Sequence, residues 1–338
     1  MAGTRITPAG EAAVQLLEEF PTSPSHTLAK LAVKRWPELF TSLDHARQTI
    51  RNHRGAKGSN NRKRFPASAG RRRAASDVEA CRRWGFVPPA EVNPWRVHRL
   101  PPKVKRWLIL ADLHIPYHDP DAVKIALDYG KQTHCDGVIL LGDIPDCYRL
   151  SRFAVDPRQR RFPEEVEAVR GFLRGLQKQF GTIVWKAGNH EMRLERYLMT
   201  RAPDLFGMEA FSWEAFMGLK TEGIVWVPPM DPIVQGKLTL LHGHEWPAGT
   251  STPVNPARTA FLKATACVLV AHQHRSSEHT EQTLDGTTVT CWSVGCLCDL
   301  HPSYRPIANK WNSGLACLDL TAGTWRVENR RIIQGEVV

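Results

Sequence analysis

A carboxylate and an imidazole stand two residues apart directly after a short apolar run. The run is Leu108 to Ala111, and the two polar residues are Asp112 and His114. A short apolar run of this kind is typical of a buried strand, and residues i and i+2 of a pleated segment point to the same side. We therefore expect both side chains to reach one metal ion at the carboxyl end of this strand.

The same arrangement recurs four more times further along the chain. Each apolar run is followed by residue types that bind metal ions, and the motifs are Gly142-Asp143-Ile144-Pro145-Asp146, Gly188-Asn189-His190-Glu191, His242-Gly243-His244 and His272-Gln273-His274. In open α/β sheets, sites assemble at the carboxyl ends of the strands. Mixed carboxylate, imidazole and amide ligands suit Mn²⁺, Fe or Zn²⁺ rather than Ca²⁺. The motifs therefore predict a transition-metal site at one sheet edge.

The order of these motifs resembles that of the calcineurin-like metallophosphoesterases, which carry D-x-H, G-D-x-x-D, G-N-H-E, H and H-x-H in turn. The runs Asp112–Asp119 and Gly188–Leu194 are similar to those of family members from phages and prophages. The resemblance covers roughly Lys105 to Val338. It implies a sandwich of two mixed β-sheets and a phosphoesterase activity.

Two positions depart from the family pattern. Ala271 precedes the last H-x-H, where the family usually has Gly, so a methyl group could crowd the backbone there without removing a ligand. Cys147 and Tyr148 follow the second Asp of G-D-x-x-D, where the protein Ser/Thr phosphatases continue with Arg-Gly. The second departure argues against a phosphoprotein substrate.

The resemblance implies two divalent ions, with Mn²⁺ favoured and Fe, Zn²⁺ or Ni²⁺ as alternatives, which would supply a hydroxide for in-line attack on phosphorus. Seven residues would bind them, three on each ion and one between: Asp112, His114 and His274; Asn189, His242 and His272; and Asp143. His190 would stabilise the transition state and protonate the leaving oxygen, and Asp146 would orient its ring.

Some roles stay open at this point. His242 is preferred to His244 as a ligand because it directly ends the apolar strand, and His244 would then face the substrate. Glu191 either supports the site from behind or is a plain carboxylate at a helix N-terminus. The candidate substrate contacts lie in loops near the motifs, and they are His118, His244, Tyr304 and Arg305.

The positive charge of the chain is concentrated before the metal motifs. Residues 1–106 hold 21 Lys and Arg against 8 Asp and Glu, whereas the remainder is slightly acidic. Such asymmetry favours an anionic partner for the N-terminal part. We expect that partner to be nucleic acid, with DNA favoured over RNA.

Residues 1–56 contain apolar residues at helical spacing, which predict three short helices, and Ser42 can cap the third. Such a unit resembles a helix-turn-helix module, whose last helix offers basic and amide side chains to DNA. The candidate DNA contacts on and after this helix are Arg47, Gln48, Arg51, Asn52 and Arg54. The alternative is a small protein-binding bundle with one solvated helix.

A basic and Pro-rich linker is predicted over residues 57–103. No acidic residue occurs from His45 to Ser76, so this stretch could follow phosphates without reading sequence. Its candidate DNA contacts are Arg62, Lys63, Arg64, Arg71, Arg72 and Arg73. The alternative is a solubilising tail.

The remaining chain, residues 104–338, alternates strands and helices and then turns to hairpins, which predicts an α/β domain. The resemblance makes it a four-layer sandwich, two mixed β-sheets flanked by helices, behind a small all-helical domain. The eight Cys show no C-x-x-C spacing, as in a reducing compartment, and no apolar run is long enough to cross a membrane. We expect a cytoplasmic location in a bacterial or phage-infected cell and no membrane partner.

The favoured function is a dinuclear metal-dependent phosphodiesterase that acts on nucleic acid, which is a nuclease activity. One alternative is a phosphomonoesterase for nucleotides or end phosphates that a DNA-binding module localises. Another is a DNA-binding regulatory protein whose metal site is vestigial. The complete set of ligand residue types argues against the last.

Overall fold

The computed structural model describes residues 7–20, 23–56, 96–152, 156, 158, 161–247, 253–302, 306–307, 309–321 and 323–338. The chain divides into two compact units, Met1–Pro94 and Trp95–Val338. Within the described residues, no helix is both long and apolar enough to cross a membrane.

The described part of the first unit is helical, as the apolar spacing predicts. Its helices there are α1 (Pro8–Glu19), α2 (Ser25–Arg35) and α3 (Leu43–Arg51), and a π-helical turn (Asn52–Ala56) follows. The hydroxyl of Ser42 caps α3 by accepting from the amide of His45 at 3.1 Å. The three helices enclose a small core of their own, which includes Leu16, Leu17, Leu28, Ala46 and Ile50.

The second unit is built on a seven-stranded mixed sheet. Four strands run parallel, namely β1 (Arg106–Leu110), β2 (Gly137–Leu141), β3 (Thr182–Lys186) and β4 (Val225–Val227). A five-stranded sheet follows in the chain, with β5 (Ile233–Gln235), β6 (Leu238–Leu240), β7 (Val268–Val270), β8 (Ser277–Gln282) and β9 (Thr288–Ser293). The last three strands, which return to the first sheet, are β10 (Gly314–Asp319), β11 (Arg326–Ile333) and β12 (Glu336–Val337).

The strand orders show where the chain crosses between sheets. The larger sheet has the order β12-β11-β10-β1-β2-β3-β4, and the smaller one has the order β5-β6-β7-β9-β8. In each sheet parallel pairs join antiparallel ones, since β10 pairs antiparallel to β1 and β8 antiparallel to β9. The two predicted hairpins are the β8–β9 and β10–β11 pairs.

Helices lie outside the sheets. They are α4 (Pro120–Gln132), α5 (Phe162–Phe180), α6 (Met192–Arg201), α7 (Trp213–Met217), α8 (Leu219–Glu222) and α9 (Pro256–Ala264). Three of them begin with a proline in the first turn, a position where the missing amide hydrogen costs nothing. The Asp119 carboxylate caps α4 by accepting from the amides of Asp121 and Ala122.

The period of two along β1 separates the layers. Trp107 and Ile109 join an apolar cluster that also contains Leu240 and Leu269 of the smaller sheet. Leu108 and its neighbours on the opposite face belong to a second cluster with residues of α4 and α5. A third cluster packs α9 on the outer face of the smaller sheet. The predicted four-layer sandwich, helix on sheet on sheet on helix, is therefore confirmed.

The end of the predicted linker is part of the second unit. His98 pairs with Ile233 at the edge of the smaller sheet, and the side chains of Leu100 and Val104 are buried between the sheets. This domain therefore begins at Trp95 rather than at residue 104. Residues 57–95 lie outside the described residues.

Candidate metal centre

Seven predicted ligands converge where the strands of the two sheets end. Asp112 and His114 follow β1, Asp143 follows β2, Asn189 follows β3, His242 follows β6, and the pair His272 and His274 follows β7. Five of these side chains are buried, and Asn189 and His272 are partly accessible. The structure thus brings together the complete set that the motifs predicted.

Asp112 and His114 meet for a different reason from the one that the spacing predicted. The strand ends at Leu110, and both residues have left-handed backbone with φ near 50° (52° and 51°). Asp143, His272 and His274 are left-handed as well. Non-glycine residues rarely adopt this region, and such backbone strain tends to occur at functional sites. Tight turns beyond the strand ends, and not a continued pleat, bring these side chains to one point.

The first group of ligand atoms lies around Asp112. Nε2 of His274 is 3.2 Å from Nε2 of His114 and 3.2 Å from Oδ1 of Asp112. Oδ2 of Asp143 is 4.0 Å from Nε2 of His114. Three potential metal-binding atoms, one each from Asp112, His114 and His274, therefore face one another without an apolar atom between them. Asp143 lies next to this group and belongs to the second group.

The second group lies around His242. Its Nε2 is 3.2 Å from Oδ1 of Asn189 and 3.3 Å from Oδ2 of Asp143. His272 joins the same group, because its ring nitrogen, the Asp143 carboxylate and His242 all lie within 4.8 Å of one another. Asp143 is close to both groups, which is the position that a bridging ligand needs.

These residues fit divalent metal ions. Bonds of about 2.0–2.2 Å to one ion place neighbouring ligand atoms roughly 3.0–3.6 Å apart, and four of the five atom pairs above lie at 3.2–3.3 Å. Oδ1 of Asp112 is buried and accepts no well-oriented hydrogen bond from the described residues. A buried carboxylate oxygen without a donor is costly unless a cation binds it.

Hydrogen bonds on the far side of two imidazoles select the nitrogen that faces the centre. Nδ1 of His242 donates to the carbonyl of Leu141 at 2.8 Å, and Nδ1 of His114 donates to Oδ1 of Asp146 at 3.0 Å. With Nδ1 as the hydrogen-bond donor in both rings, Nε2 is the nitrogen left to bind a metal ion, which would take the place of a proton there. Burial opposes a charged His242, but the carboxylates of Asp143 and Asp112 outweigh it and raise the pKa of His242 to about 10. The carboxylates therefore make the centre a favourable place for a positive charge.

Glu191 supports the centre from behind. Its buried carboxylate accepts from the amides of Asp143, Ile144 and Gly188 at 2.8–3.1 Å, and from the indole nitrogen of Trp185. Both oxygens are used, and the side chain is 1% exposed. The alternative of a plain helix N-terminal carboxylate is therefore wrong. Glu191 joins the loops after β2 and β3, which carry two of the ligands.

A buried ion pair holds the loop of His242. Nζ of Lys186 lies 2.9 Å from Oε1 of Glu245. The same carboxylate accepts from the amides of His242 and Gly243. Lys186 is fully buried at the end of β3 and also donates to backbone carbonyls, which include that of Ala187. Sequence reasoning missed both charged residues because they lie 59 positions apart in the chain and no motif joins them.

Asp146 serves two imidazoles. Its carboxylate is 3.0 Å from Nδ1 of His114 and 3.3 Å from Nδ1 of His190, and its carbonyl accepts from the latter at 2.6 Å. The prediction that Asp146 orients only His190 is incomplete, since its shortest carboxylate contact is with a ligand. Although burial opposes ionisation, hydrogen bonds from both rings lower the pKa of Asp146.

Arg193 contacts His190, although the sequence did not single it out as a candidate site residue. Its guanidinium donates to Nε2 of His190 at 2.9 Å and to the carbonyl of Asp146 at 2.9 Å. The available signal was the run Gly188–Leu194, which contains this arginine. Nε2 of His190 lies 3.8 Å from Asp143, so this ring borders the centre without being held in it.

The preference for His242 over His244 agrees with the geometry. His242 points into the centre, whereas both ring nitrogens of His244 are buried without a hydrogen bond among the described residues. Burial and the neighbouring His242 lower the pKa of His244 to about 3. His118 forms a backbone bridge with Cys298, whose Sγ lies 3.6 Å from Nδ1 of His274. Tyr304 and Arg305 lie outside the described residues.

Two glycines and one alanine show how tightly the strand ends pack. A side chain at Gly142 would overlap the ring of His242, and one at Gly188 would overlap the carboxylate of Asp143. The methyl group of Ala271, at the position where the family usually has glycine, lies buried in the cluster between the sheets. It does not crowd the ligands, and the Ala271 amide donates to the carbonyl of His242 at 2.9 Å.

In the helical unit, Arg47, Gln48 and Arg51 are exposed on α3 and its end. Asn52 is half-buried and Arg54 is bound within the unit, where its guanidinium donates to Ser25 Oγ and to the carbonyl of Ser23. The linker candidates from Arg62 to Arg73 lie outside the described residues.

Comparisons with known proteins identify related chains. The family model for calcineurin-like phosphoesterases matches residues 105–294. The Gene 54 protein of Mycobacterium phage L5 is 27% identical over 227 residues, which is 63% of this chain and 88% of that protein. The Gene 54 protein of Mycobacterium phage D29 is 25% identical over 244 residues, 68% of this chain and 95% of that protein. Among solved structures, Vacuolar Protein Sorting 29 from Cryptosporidium parvum is 12% identical, with a TM-score of 0.37, and the match covers 70% of this chain and 95% of that one.

Proposed function

Because the chain belongs to the calcineurin-like phosphoesterase family, whose members are dinuclear metal-dependent hydrolases, we propose that it hydrolyses phosphodiester bonds in nucleic acid. The observation that carries the proposal is the convergence of two donor groups that share Asp143, one around Asp112 and the other around His242. Mn²⁺ is the proposed ion, since mixed imidazole, carboxylate and amide donors suit it.

We assign His114, His274 and Asp112 to one ion, and Asn189, His242 and His272 to the other. When bound, the two ions would neutralise charge on the phosphate and activate a water nucleophile. The carboxylate of Asp146 fixes the ring of His114, and Glu191 fixes the loop of Asp143. The chain itself thus contributes metal-binding side chains that hydrogen bonds already hold in position. The ring nitrogens of His114 and His242 that point away from the centre are hydrogen-bonded.

His190 is the proposed proton donor to the leaving oxygen. Its Nδ1 is tied to Asp146, so the atom that can face a substrate is Nε2. Burial lowers the pKa of this ring, but the carboxylates of Asp143 and Asp146 outweigh that effect and raise it. In this arrangement Nε2 accepts a hydrogen bond from the guanidinium of Arg193. A phosphate oxygen that draws the guanidinium away would let Nε2 take up a proton, as the raised pKa of His190 favours, and His190 could then donate that proton to the leaving oxygen.

The proposal of a nucleic-acid substrate is supported by the basic excess of residues 1–106, which can hold a polyanion near the centre. We propose that the exposed face of α3 contributes to this binding, and that DNA is the partner. Arg54 is left out of this surface because its guanidinium is bonded within the unit.

The test pairs metal analysis with two substrates. We expect purified protein loaded with Mn²⁺ to bind close to two equivalents, and to hydrolyse bis(4-nitrophenyl) phosphate faster than 4-nitrophenyl phosphate. Asp143→Ala should lower the occupancy of both sites because its carboxylate lies beside both donor groups. Preference for the monoester would make the chain a phosphomonoesterase. Bound metal without turnover of either ester would leave a DNA-binding protein as the better account.

A further inference from the structure

A cavity rich in arginine opens beside Asn189. It has a volume of about 1030 Å³ and is formed by the segment after β2, at residues 149–152, and by one face of α6. The arginines that line it are Arg149, Arg152, Arg193, Arg196 and Arg201. No acidic side chain is among its described lining residues. Five guanidinium groups around one space favour an anionic ligand, and one of them, Arg193, also lies 3.8 Å from Oδ2 of Asp146.

A second cavity of about 410 Å³ also borders Asn189. Its wall includes His272 and His244, the indole of Trp246 and the ammonium of Lys263. Asn189 and Arg196 line both cavities, so the two meet beside the donor groups of the metal centre. A ligand that fills both would pass the centre along its length.

Each cavity also offers an aromatic ring. Tyr197 lines the first cavity and is 43% exposed, so its ring is accessible to a ligand there. Trp246 lines the second cavity with Lys263 5.7 Å from its ring centre. Grooves that combine positive charge with aromatic faces bind single-stranded nucleic acid, because unpaired bases can stack on the rings.

Two of the lining arginines are well placed to meet phosphate oxygens. Arg196 and Arg201 are exposed on α6 and form no ion pair with a carboxylate of the described residues. Arg193 is anchored at His190, next to the position of the proposed leaving oxygen. The planar guanidinium suits the bidentate recognition of phosphate better than an ammonium does. The domain itself is not basic overall, so this concentration is local.

We propose that the two cavities together form a track for a single nucleic-acid strand, in which the first cavity holds phosphates on one side of the scissile bond and the second holds the nucleotide on the other side. This inference rests on the proposed phosphodiesterase function and specifies its substrate as a strand several nucleotides long. It also assigns Arg152, Arg196 and Arg201 as substrate contacts, and Tyr197 and Trp246 as stacking surfaces.

The kinetic test uses the full chain and a double variant, Arg196→Ala with Arg201→Ala. Its matched control is Arg174→Ala, which removes an exposed arginine of α5 that lines neither cavity. We expect the ratio of kcat/KM for a twelve-nucleotide strand to kcat/KM for bis(4-nitrophenyl) phosphate to fall about tenfold in the double variant. The slope of log kcat/KM for the strand against log salt should flatten by roughly 1.4, about 0.7 for each lost single-strand contact.

A binding test keeps the inference separate from the proposed catalysis. Hydrogen–deuterium exchange of the full chain with the same oligonucleotide should show protection of residues 149–152 and of α6. A peptide nucleic acid of the same sequence, which has no phosphates, and inorganic tripolyphosphate should each give much weaker protection. This readout reports on the track even if the N-terminal unit also binds the strand.

The outcomes are distinguishable. A wild-type chain that hydrolyses the small diester, with a double variant equal to its control and no protection of α6, would overturn the track and leave the phosphodiesterase proposal standing. A chain that hydrolyses no diester but shows the protection would overturn the catalytic proposal and support the track. Equal protection by tripolyphosphate or by a blunt duplex would overturn the assignment to a single strand.

Discussion

At the scale of single residues, the centre depends on strained and fully bonded positions. Five of the seven proposed ligands have left-handed backbone, and Glu191 receives four N–H donors in a buried position. A buried carboxylate with this many donors rigidifies its surroundings, and the loss of one acceptor leaves amides unsatisfied at about 1–3 kcal/mol each. Hydrogen bonds of this kind stabilise the strained backbone of the ligand residues.

Replacement of His190 by alanine should leave the metal content unchanged and lower kcat by about 10²–10⁴-fold, as expected for the loss of a proton donor. The loss should be smaller for a 4-nitrophenolate leaving group, which needs little protonation. Metal analysis and steady-state kinetics on two diesters of different leaving-group pKa check this. Loss of metal from the variant would instead make His190 a ligand.

Glu191→Gln should weaken metal binding by roughly 10–100-fold, the range for partners that orient metal ligands. The amide group of glutamine would place N–H atoms against backbone N–H donors that now find a carboxylate oxygen. The matched control is Glu195→Gln, which removes an exposed carboxylate from the first turn of α6. Isothermal titration calorimetry with Mn²⁺ compares the metal affinities of the two variants. Equal affinities would mean that Glu191 acts only as a charge at the end of a helix.

At the scale of elements, an ion pair and hydrogen bonds between different elements join the ends of the strands. Lys186 at the end of β3 holds Glu245, and Glu245 holds the turn after β6. On the other side of the larger sheet, the carboxyl of Glu165 in the first turn of α5 accepts from the amide of Cys147. Both contacts connect an element to a loop that positions the centre.

Lys186→Met should destabilise the fold by about 3–5 kcal/mol, since it leaves Glu245 as a buried charge without its partner. Lys237→Met removes an exposed lysine and should change the free energy of unfolding by no more than about 0.5 kcal/mol. Urea unfolding of both variants at pH 7 measures the difference. A value near that of the control would show that the pair contributes little to the native state.

The stability of the chain should depend on pH through Glu165. Burial raises the pKa of this carboxyl to about 8. Because the native pKa lies above the unfolded value, its contribution is fully present below pH 4.5 and is lost as the pH rises through 8. Glu165→Gln stays neutral, so its stability relative to the wild type should rise by up to about 1.4 kcal/mol per pH unit between those values. Urea unfolding at several pH values tests this, with Glu167→Gln, an exposed neighbour, as the control. Parallel stability curves for the wild type and Glu165→Gln would contradict it.

At the scale of the whole molecule, charge and chemistry are divided between two units. The basic excess precedes residue 107, and the seven proposed ligands begin at Asp112. The boundary that separates them is Trp95, because residues 96–103 pack on the catalytic unit. A division of this kind lets one unit raise the local concentration of a polyanion for the other.

We expect a chain that begins at Trp95 to keep its turnover of a small aryl diester and to lose most of its DNA affinity. If the N-terminal part neutralises about five phosphates, the full chain should show a slope of log K against log salt near −4.5 for duplex DNA, which means roughly 500-fold weaker binding at 200 than at 50 mM salt. Fluorescence anisotropy at several salt concentrations measures both chains. Equal affinity and slope would make the helical unit a protein-docking or oligomerisation element.

The order of the motifs, the residue types of the ligands and the existence of each long element could be predicted from the chain alone. Apolar runs such as Val138–Leu141 and the helical spacing of α5 are local properties, and the ligand types stand directly beside them. The pleat argument for Asp112 and His114 reached the right pair by the wrong geometry, because a turn after a strand leaves no periodic trace.

Only the tertiary structure decided which distant residues share a wall or a hydrogen bond. Glu245 meets Lys186, and Arg149 and Arg201 line one cavity, because the strand orders and the packing of the two sheets bring the ends of β1, β2, β3, β6 and β7 together. Nothing in the chain near either partner encodes such a pairing, since it arises from the register and packing of the sheets. Residue chemistry is written locally, whereas the neighbours that tune it are set by the fold.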